Sequence, residues 1–240
     1  MHKRSYVLFF LSILFSFSAI SHAGVFDNII KGISDSSKAE IDEGTIVSGL
    51  KEALSIGTDN AIKNLSKLDG YFGNEIIKIL MPERIQNVAN VLGKAGLKKE
   101  VDDFILSMNR AAERAAPKAA GFFVEAIKNM SIEDARGILA GGDTAATDYF
   151  REKTSNKIYD AFKPIISSSM DEVGVTRIYK EMMDNYEAIP FVKKESFDLD
   201  HYVTNKALAG LFHMVGQEEK KIRTDPAARV TDLLKTVFSK

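Results

Sequence analysis

The chain has 240 residues, 45% hydrophobic and 27% charged, with 32 basic against 33 acidic side chains and a formal net charge of −1. That length supports a real hydrophobic core and one domain, and the near-neutral balance argues against the basic stripe that a duplex-binding surface needs. The lack of any cysteine excludes disulfides, thiol catalysis, zinc ribbons, iron–sulfur ligation and a lipid-modified N-terminal cysteine.

Lys3 and Arg4 precede an apolar run from Tyr6 to Phe17, and Ser21, His22 and Ala23 then place small residues at the third-last and last positions before a cut. This charge–apolar–small layout is that of a secretory signal peptide and predicts cleavage after Ala23, with an uncleaved anchor as the alternative. The run is shorter than the roughly 20 residues of a comfortable membrane span. No later segment is apolar enough to span, so the expectation is a soluble exported protein, periplasmic in location. Residues 24–44, ending in "SDSSKAEIDEG", read as a flexible lead-in, and residues 45–240 as one helical domain.

Apolar residues recur at three and four along Ile46, Leu50, Ala53, Leu54, Gly57, Ala61, Leu65 and Leu68, which predicts a first helix stopped by Asp69-Gly70. Pro82 suits the first turn of a short helix closed by Gly93 to Gly96. Leu97, Val101, Phe104, Ile105, Met108, Ala112 and Ala115 make the next stripe, which Pro117 must end or kink before helix resumes over residues 118–129. Ser131 and Asp134 have capping-box spacing. A long helix follows Asp143, interrupted near Pro164 and ended by Gly174, and residues 175–187 read as helix. "AIPFVKKESFD" (188–198) is an extended loop whose last residue, Asp198, caps a helix over 199–223. Asp225-Pro226 opens a final one. Strand signals are scarce. The fold expected is therefore all-α, a single-domain bundle of about eight to ten helices after a cleaved signal peptide.

Polar residues on or beside apolar stripes are the candidate site. "GILAGGDTAATDYFREKT" (137–154) offers Gly141, Gly142, Asp143 and Thr144 at a helix start, where free N–H groups attract anions. A phosphate cradle usually follows a strand and carries a lysine or a longer glycine pattern; here a helix precedes, so Asp143 is expected to act as the cap itself. Thr147 and Thr154 share a face with Phe150, Ile158 and Ile165, and either line a polar pocket or bond back to a carbonyl one turn earlier. Asn109 and Glu113 sit one turn apart and can bond, flanking an apolar face together with Asp102. His201 lies on a stripe with Thr204, Leu208, Leu211, Phe212, Val215, Glu219 and Ile222. A buried histidine bonded to a carbonyl is one reading of it and a ligand-binding role the other. His213 projects elsewhere, so the two cannot ligate one metal. "QEEKKIR" (217–223) reads mainly as a solvated charged face with a Glu219–Arg223 ion pair. No acidic loop has calcium or magnesium spacing, so neither metal nor cofactor is expected.

The strings "MNRAAERAAP" (108–117), "MSIEDARGILAGGDTAATDYFREKT" (130–154), "DHYVTNKALAGLF" (200–212) and "EEKKIRTDPAARVTDLLKTVF" (218–238) together resemble a bacterial family of exported helical proteins, domain of unknown function 4197. The likeness runs from about Ile46 to Phe238. It implies an all-helical, envelope-localised domain and carries no activity or catalytic residue to transfer. Members often look like lipoproteins, and this chain departs from that in having no cysteine. Three functions compete. One is a non-catalytic structural or adaptor role with an envelope protein partner. Another is a binding module for a lipid or other apolar ligand, in a cavity lined by Phe122, Phe123, Phe150, Phe162, Phe212, Met108, Met182, Met183 and Met214. The third is an enzyme in which Asn109, Glu113, Thr147, Thr154 and His201 converge.

Overall fold

The computed structural model describes residues 43–94, 96–172, 175–188, 197–232 and 235. The predicted signal peptide, the lead-in as far as residue 42 and most of the loop expected over 188–198 lie outside these residues. The helices are α1 (Glu43–Ser66), α2 (Gln86–Lys94), α3 (Lys98–Ala115), α4 (Ala119–Lys128), α5 (Ile132–Ala140), α6 (Ala145–Glu172), α7 (Val175–Glu187) and α8 (Leu199–Thr224), with 3₁₀ turns at Glu83–Ile85, Ala116–Lys118 and Pro226–Ala228. No strand occurs among the described residues.

The two prolines act differently. At Pro117 α3 ends, as expected, and the chain makes a single 3₁₀ turn before helix resumes in α4. Pro164 lies inside α6 without interrupting it. Its missing N–H deprives the Asp160 carbonyl of a helical partner on the exposed side of α6, where both residues are open to solvent. With α3 and α4 counted together, the described residues hold seven helical rods, fewer than the eight to ten expected.

The buried face of α1 is the predicted stripe, from Leu50 to Leu65. Leu68 leaves it and is 72% exposed, because the helix ends at Ser66. Asp69 then takes φ 63, and at Gly70 a Cβ would lie 2.4 Å from the Leu65 carbonyl oxygen, so only glycine fits there. In α3 the buried apolar set is Val101, Phe104, Met108, Ala111, Ala112 and Ala115, with Asn109 and Glu113 buried beside it. The small alanines let α6 come close. α6 packs against α3, α4, α5, α7 and α8, and α8 in turn carries α1.

Three predicted caps form as drawn. Ser131 Oγ accepts the Asp134 N–H at 3.0 Å, while Asp134 accepts the Ser131 N–H and hydroxyl at 3.0 and 2.8 Å. Those two donors hold the Asp134 carboxyl below its ordinary range. Asp198 accepts from the His201 N–H at 2.9 Å, and Asp225 from the Ala227 N–H at 2.9 Å. After Asp225 the chain makes a 3₁₀ turn over Pro226–Ala228 and residues 229–231 are not helical, so the final helix expected to open at Pro226 does not start there.

The aromatic and methionine side chains proposed as a cavity lining are mainly solid core. Phe123, Phe150, Phe162, Phe212, Met108, Met182 and Met183 are buried in one cluster, with Phe122 and Met214 packed half-buried against it. The Phe123 ring lies 4.9 Å from Phe150 and 6.2 Å from Phe212, so these rings fill space against one another.

Residues 67–82 have no regular helix yet bury Tyr71, Ile77, Ile79 and Met81. Tyr71 donates its hydroxyl to the Ala207 carbonyl at 2.7 Å, and its ring edge lies over Gly210, where an added Cβ would sit 2.7 Å from Cε1. Gly210→Ala is therefore expected to cost about 1–3 kcal/mol in urea unfolding by overpacking. Gly121→Ala in α4, where a Cβ meets nothing within 4 Å, should instead stabilise by roughly 0.5–1 kcal/mol. Equal effects of the two substitutions would contradict this close approach.

Candidate functional site

α6 begins at Ala145, so its first turn leaves N–H groups without helical partners. The anion that meets them comes from α8. Glu219 accepts the Ala146 N–H at 2.9 Å on one carboxylate oxygen, and the Thr147 N–H at 2.9 Å and hydroxyl at 2.8 Å on the other. Arg223, one turn further along α8, donates to the same carboxylate through Nε and Nη2 at 3.0 and 2.8 Å, and Nη2 also reaches the Ile138 carbonyl of α5 at 2.8 Å. Glu219 is buried. The helix start thus binds an anion, as its physics invites, and the anion is the protein's own.

Two expectations are corrected here. Asp143 is exposed, and the side chain on the first-turn N–H groups is that of Glu219; a capping aspartate reads the same in sequence whether or not a distant carboxylate has taken its place. The charge run is not a solvated face throughout, because Glu218 and Glu219 are both buried. Glu218 accepts from Asn60 at 3.3 Å and from Lys221 at 2.6 Å. The expected Glu219–Arg223 ion pair forms at 2.8 Å, but Glu219, though noted on the apolar stripe of α8, was not among the candidate site residues.

Asn109 and Glu113 do not bond to each other. Each grips the irregular segment in front of α2. Asn109 Oδ1 accepts the Ile79 N–H at 2.8 Å, and Nδ2 donates to the Ile79 and Ile105 carbonyls at 2.8 Å each. Glu113 accepts the Tyr71 and Phe72 N–H groups at 3.0 and 3.2 Å, and on its other oxygen Arg110 at 2.7 Å; Arg110 also holds Asp69 at 2.7 Å. Burial, and then the Glu113 charge, push the Tyr71 phenol far above its ordinary pKa, so it stays a neutral donor. Asp102 pairs on the surface with Lys98 at 2.7 Å.

Thr154 bonds back to the Phe150 carbonyl at 2.6 Å, the simpler of its two readings. His201 is exposed, not buried: it sits in the first turn of α8, with Nδ1 2.7 Å from the Tyr159 hydroxyl of α6. Leu199, nearer the cap, takes the buried position instead. Among the described residues no hydrogen bond joins any of Asn109, Glu113, Thr147, Thr154 and His201 to another. Nor do three or more His, Asp or Glu side chains gather as a metal site among them, and none of their helices is long and apolar enough to cross a membrane.

Among the described residues, two of the surface grooves reach a few hundred cubic ångströms. One, of about 280 Å³, runs between α4 and α6 beside Phe122, Asn129, Tyr149, Lys153 and Thr154. Its Lys157 pairs with Glu125 at 3.0 Å, and Lys153 with Glu152 at 2.9 Å. The other, of about 560 Å³, is lined by Leu80, Pro82, Glu83, Phe197, Tyr202 and Lys206, among others. Tyr202 donates to the Leu80 carbonyl at 3.0 Å. Burial, with Glu83 second, raises its phenol pKa.

Removing the Glu219 carboxylate while leaving Arg223 and two helix N–H groups behind should be severe. Glu219→Ala is expected to lower stability by about 3–5 kcal/mol, against less than about 0.5 kcal/mol for Asp143→Ala. Thermal and urea melts of the two variants decide which carboxylate completes α6.

None of the curated proteins and none of the solved structures matches the chain. A family profile does, over residues 40–239, which takes in every described residue. The matched span contains both buried carboxylate clusters and both grooves. On that match the chain belongs to the family described as Protein of unknown function (DUF4197).

Proposed function

We propose that this is an exported, non-catalytic helical protein of the bacterial cell envelope, acting as a structural or adaptor element through its surface. The observation that carries this reading is how the buried polar side chains are used. Asn109, Glu113 and Thr147 each bond to backbone or to a charged neighbour inside the fold. Thr154 is spent on its own helix and His201 lies exposed at a helix start. Catalysis needs polar groups converging on one reacting atom with capacity to spare; these side chains are instead spread over separate clusters and engaged in holding elements together. The basic start, apolar run and small residues before Gly24 support export.

The test uses the whole chain in a bacterial host. Mass spectrometry of the protein recovered from the envelope fraction should find Gly24 as its first residue; an intact Met1 there would replace export and release with an anchored form. Native mass spectrometry of the same material should show a stoichiometric protein partner. A bare monomer under conditions that preserve known envelope complexes would count against the adaptor role.

A further inference from the structure

We propose that Met214 is an oxidation site, converted by hydrogen peroxide to a methionine sulfoxide whose new oxygen is held by the Asn74 side chain. Such a site lies outside the adaptor role and does not depend on it.

The chain has no cysteine, so its readily oxidised sulfur is that of methionine. Seven of the eight methionines lie among the described residues, and burial separates them. Met81, Met108, Met130, Met170, Met182 and Met183 are all buried, none more than 7% exposed. Met214 alone among the seven is half-buried, packed against the rim of the core from α8. A buried thioether meets peroxide only in the small fraction of molecules that open locally. Met214 meets it in the closed fold.

Asn74 of the irregular segment stands against the sulfur. Its Nδ2 donates to Met214 Sδ at 3.7 Å. The other end of the amide is already committed, since Oδ1 accepts the Ile76 N–H at 3.0 Å. The atom that faces sulfur is therefore the donor. The Asn74 backbone is fixed as well: its N–H bonds to the Tyr71 carbonyl at 3.1 Å, and its carbonyl accepts the Lys78 N–H at 2.8 Å. A thioether sulfur is a weak acceptor, whereas a sulfoxide oxygen is polar and accepts strongly. The donor that gains little from sulfur is thus in place for the oxidised form. At any of the six buried methionines the same oxygen would be forced into apolar packing and would disrupt it. At Met214 it adds a hydrogen bond between residues 67–82 and α8.

In the reaction a sulfur lone pair attacks one peroxide oxygen. The S–O bond forms as the O–O bond breaks, and the departing hydroxide takes the proton of the transferred oxygen and leaves as water. Sulfur gives up two electrons and the peroxide receives them. The enzyme class that consumes the product is a methionine sulfoxide reductase, which restores the thioether.

The experiment exposes the folded protein to dilute hydrogen peroxide and follows each methionine by tryptic mass mapping, in which residues 207–220 carry Met214 alone. That peptide should gain one oxygen first, at least about tenfold faster than any peptide holding a buried methionine. The urea midpoint of the protein oxidised at Met214 should be no lower than that of the reduced form. Met214→Leu should remove the early oxygen gain while circular dichroism stays as helical as the parent. In Asn74→Ala, Met214 should still oxidise first, but the midpoint should now fall on oxidation. Each variant is compared with its own reduced form, so a loss of stability from the substitution itself does not enter. A buried methionine oxidising as fast as Met214, a Met214 that stays reduced until the protein unfolds, or a midpoint that falls equally with and without the Asn74 side chain would overturn the proposal.

Discussion

A carboxylate removed from water costs several kcal/mol unless its oxygens are met by donors. Glu219 meets that condition with five hydrogen bonds, three from the start of α6 and two from Arg223. Much of the architecture follows. α6 is the helix on which α3, α4, α5, α7 and α8 all rest, and its first turn is completed by a side chain of α8. Arg223 extends the same cluster to the end of α5 through the Ile138 carbonyl. One buried ion pair thus fixes the relative placement of three helices, in a chain with no disulfide to do so.

A second polar clamp works at the other face of α3. Asn109 and Glu113, one turn apart, hold residues 67–82 by backbone donors and acceptors as a neighbouring strand would. An irregular segment buried against a helical core would otherwise carry unsatisfied peptide groups. With its backbone paired, Tyr71 can be driven under α8 against Gly210, and Leu80 is left facing outward at the groove. The groove's shape is therefore a consequence of the clamp.

What could be read from the sequence was what is decided locally. The stripes of α1 and α3, the capping box at Ser131 and the cap at Asp198 depend on residues within a few positions of one another, and each takes the form its pattern predicts, whereas the cap at Asp225 forms over a 3₁₀ turn only. Errors arose where the deciding partner is distant or solvent intervenes. Pro164 does not break α6 because its lost bond faces water. Asp143 gives way to a carboxylate from another helix, and His201 lies outside the core because Leu199 takes the inward position beside the cap. The five candidate site residues were rightly singled out as unusual, since three of them hold long-range contacts. Periodicity could not say that their partners were groups of the protein itself and not a ligand, because that depends on which segment packs against them.

The Glu219 cluster has a kinetic side as well. It joins positions more than seventy residues apart, so it cannot form until the intervening chain has collapsed and α8 has docked, and the entropy of closing so long a loop is lost before the bonds return anything. Such late contacts are absent from the folding barrier and present in the native state, and interactions of that kind govern how slowly a protein opens more than how fast it closes. The buried carboxylate then serves as a brake on opening, which sets the lifetime of the native fold against any protease that cleaves only the open chain.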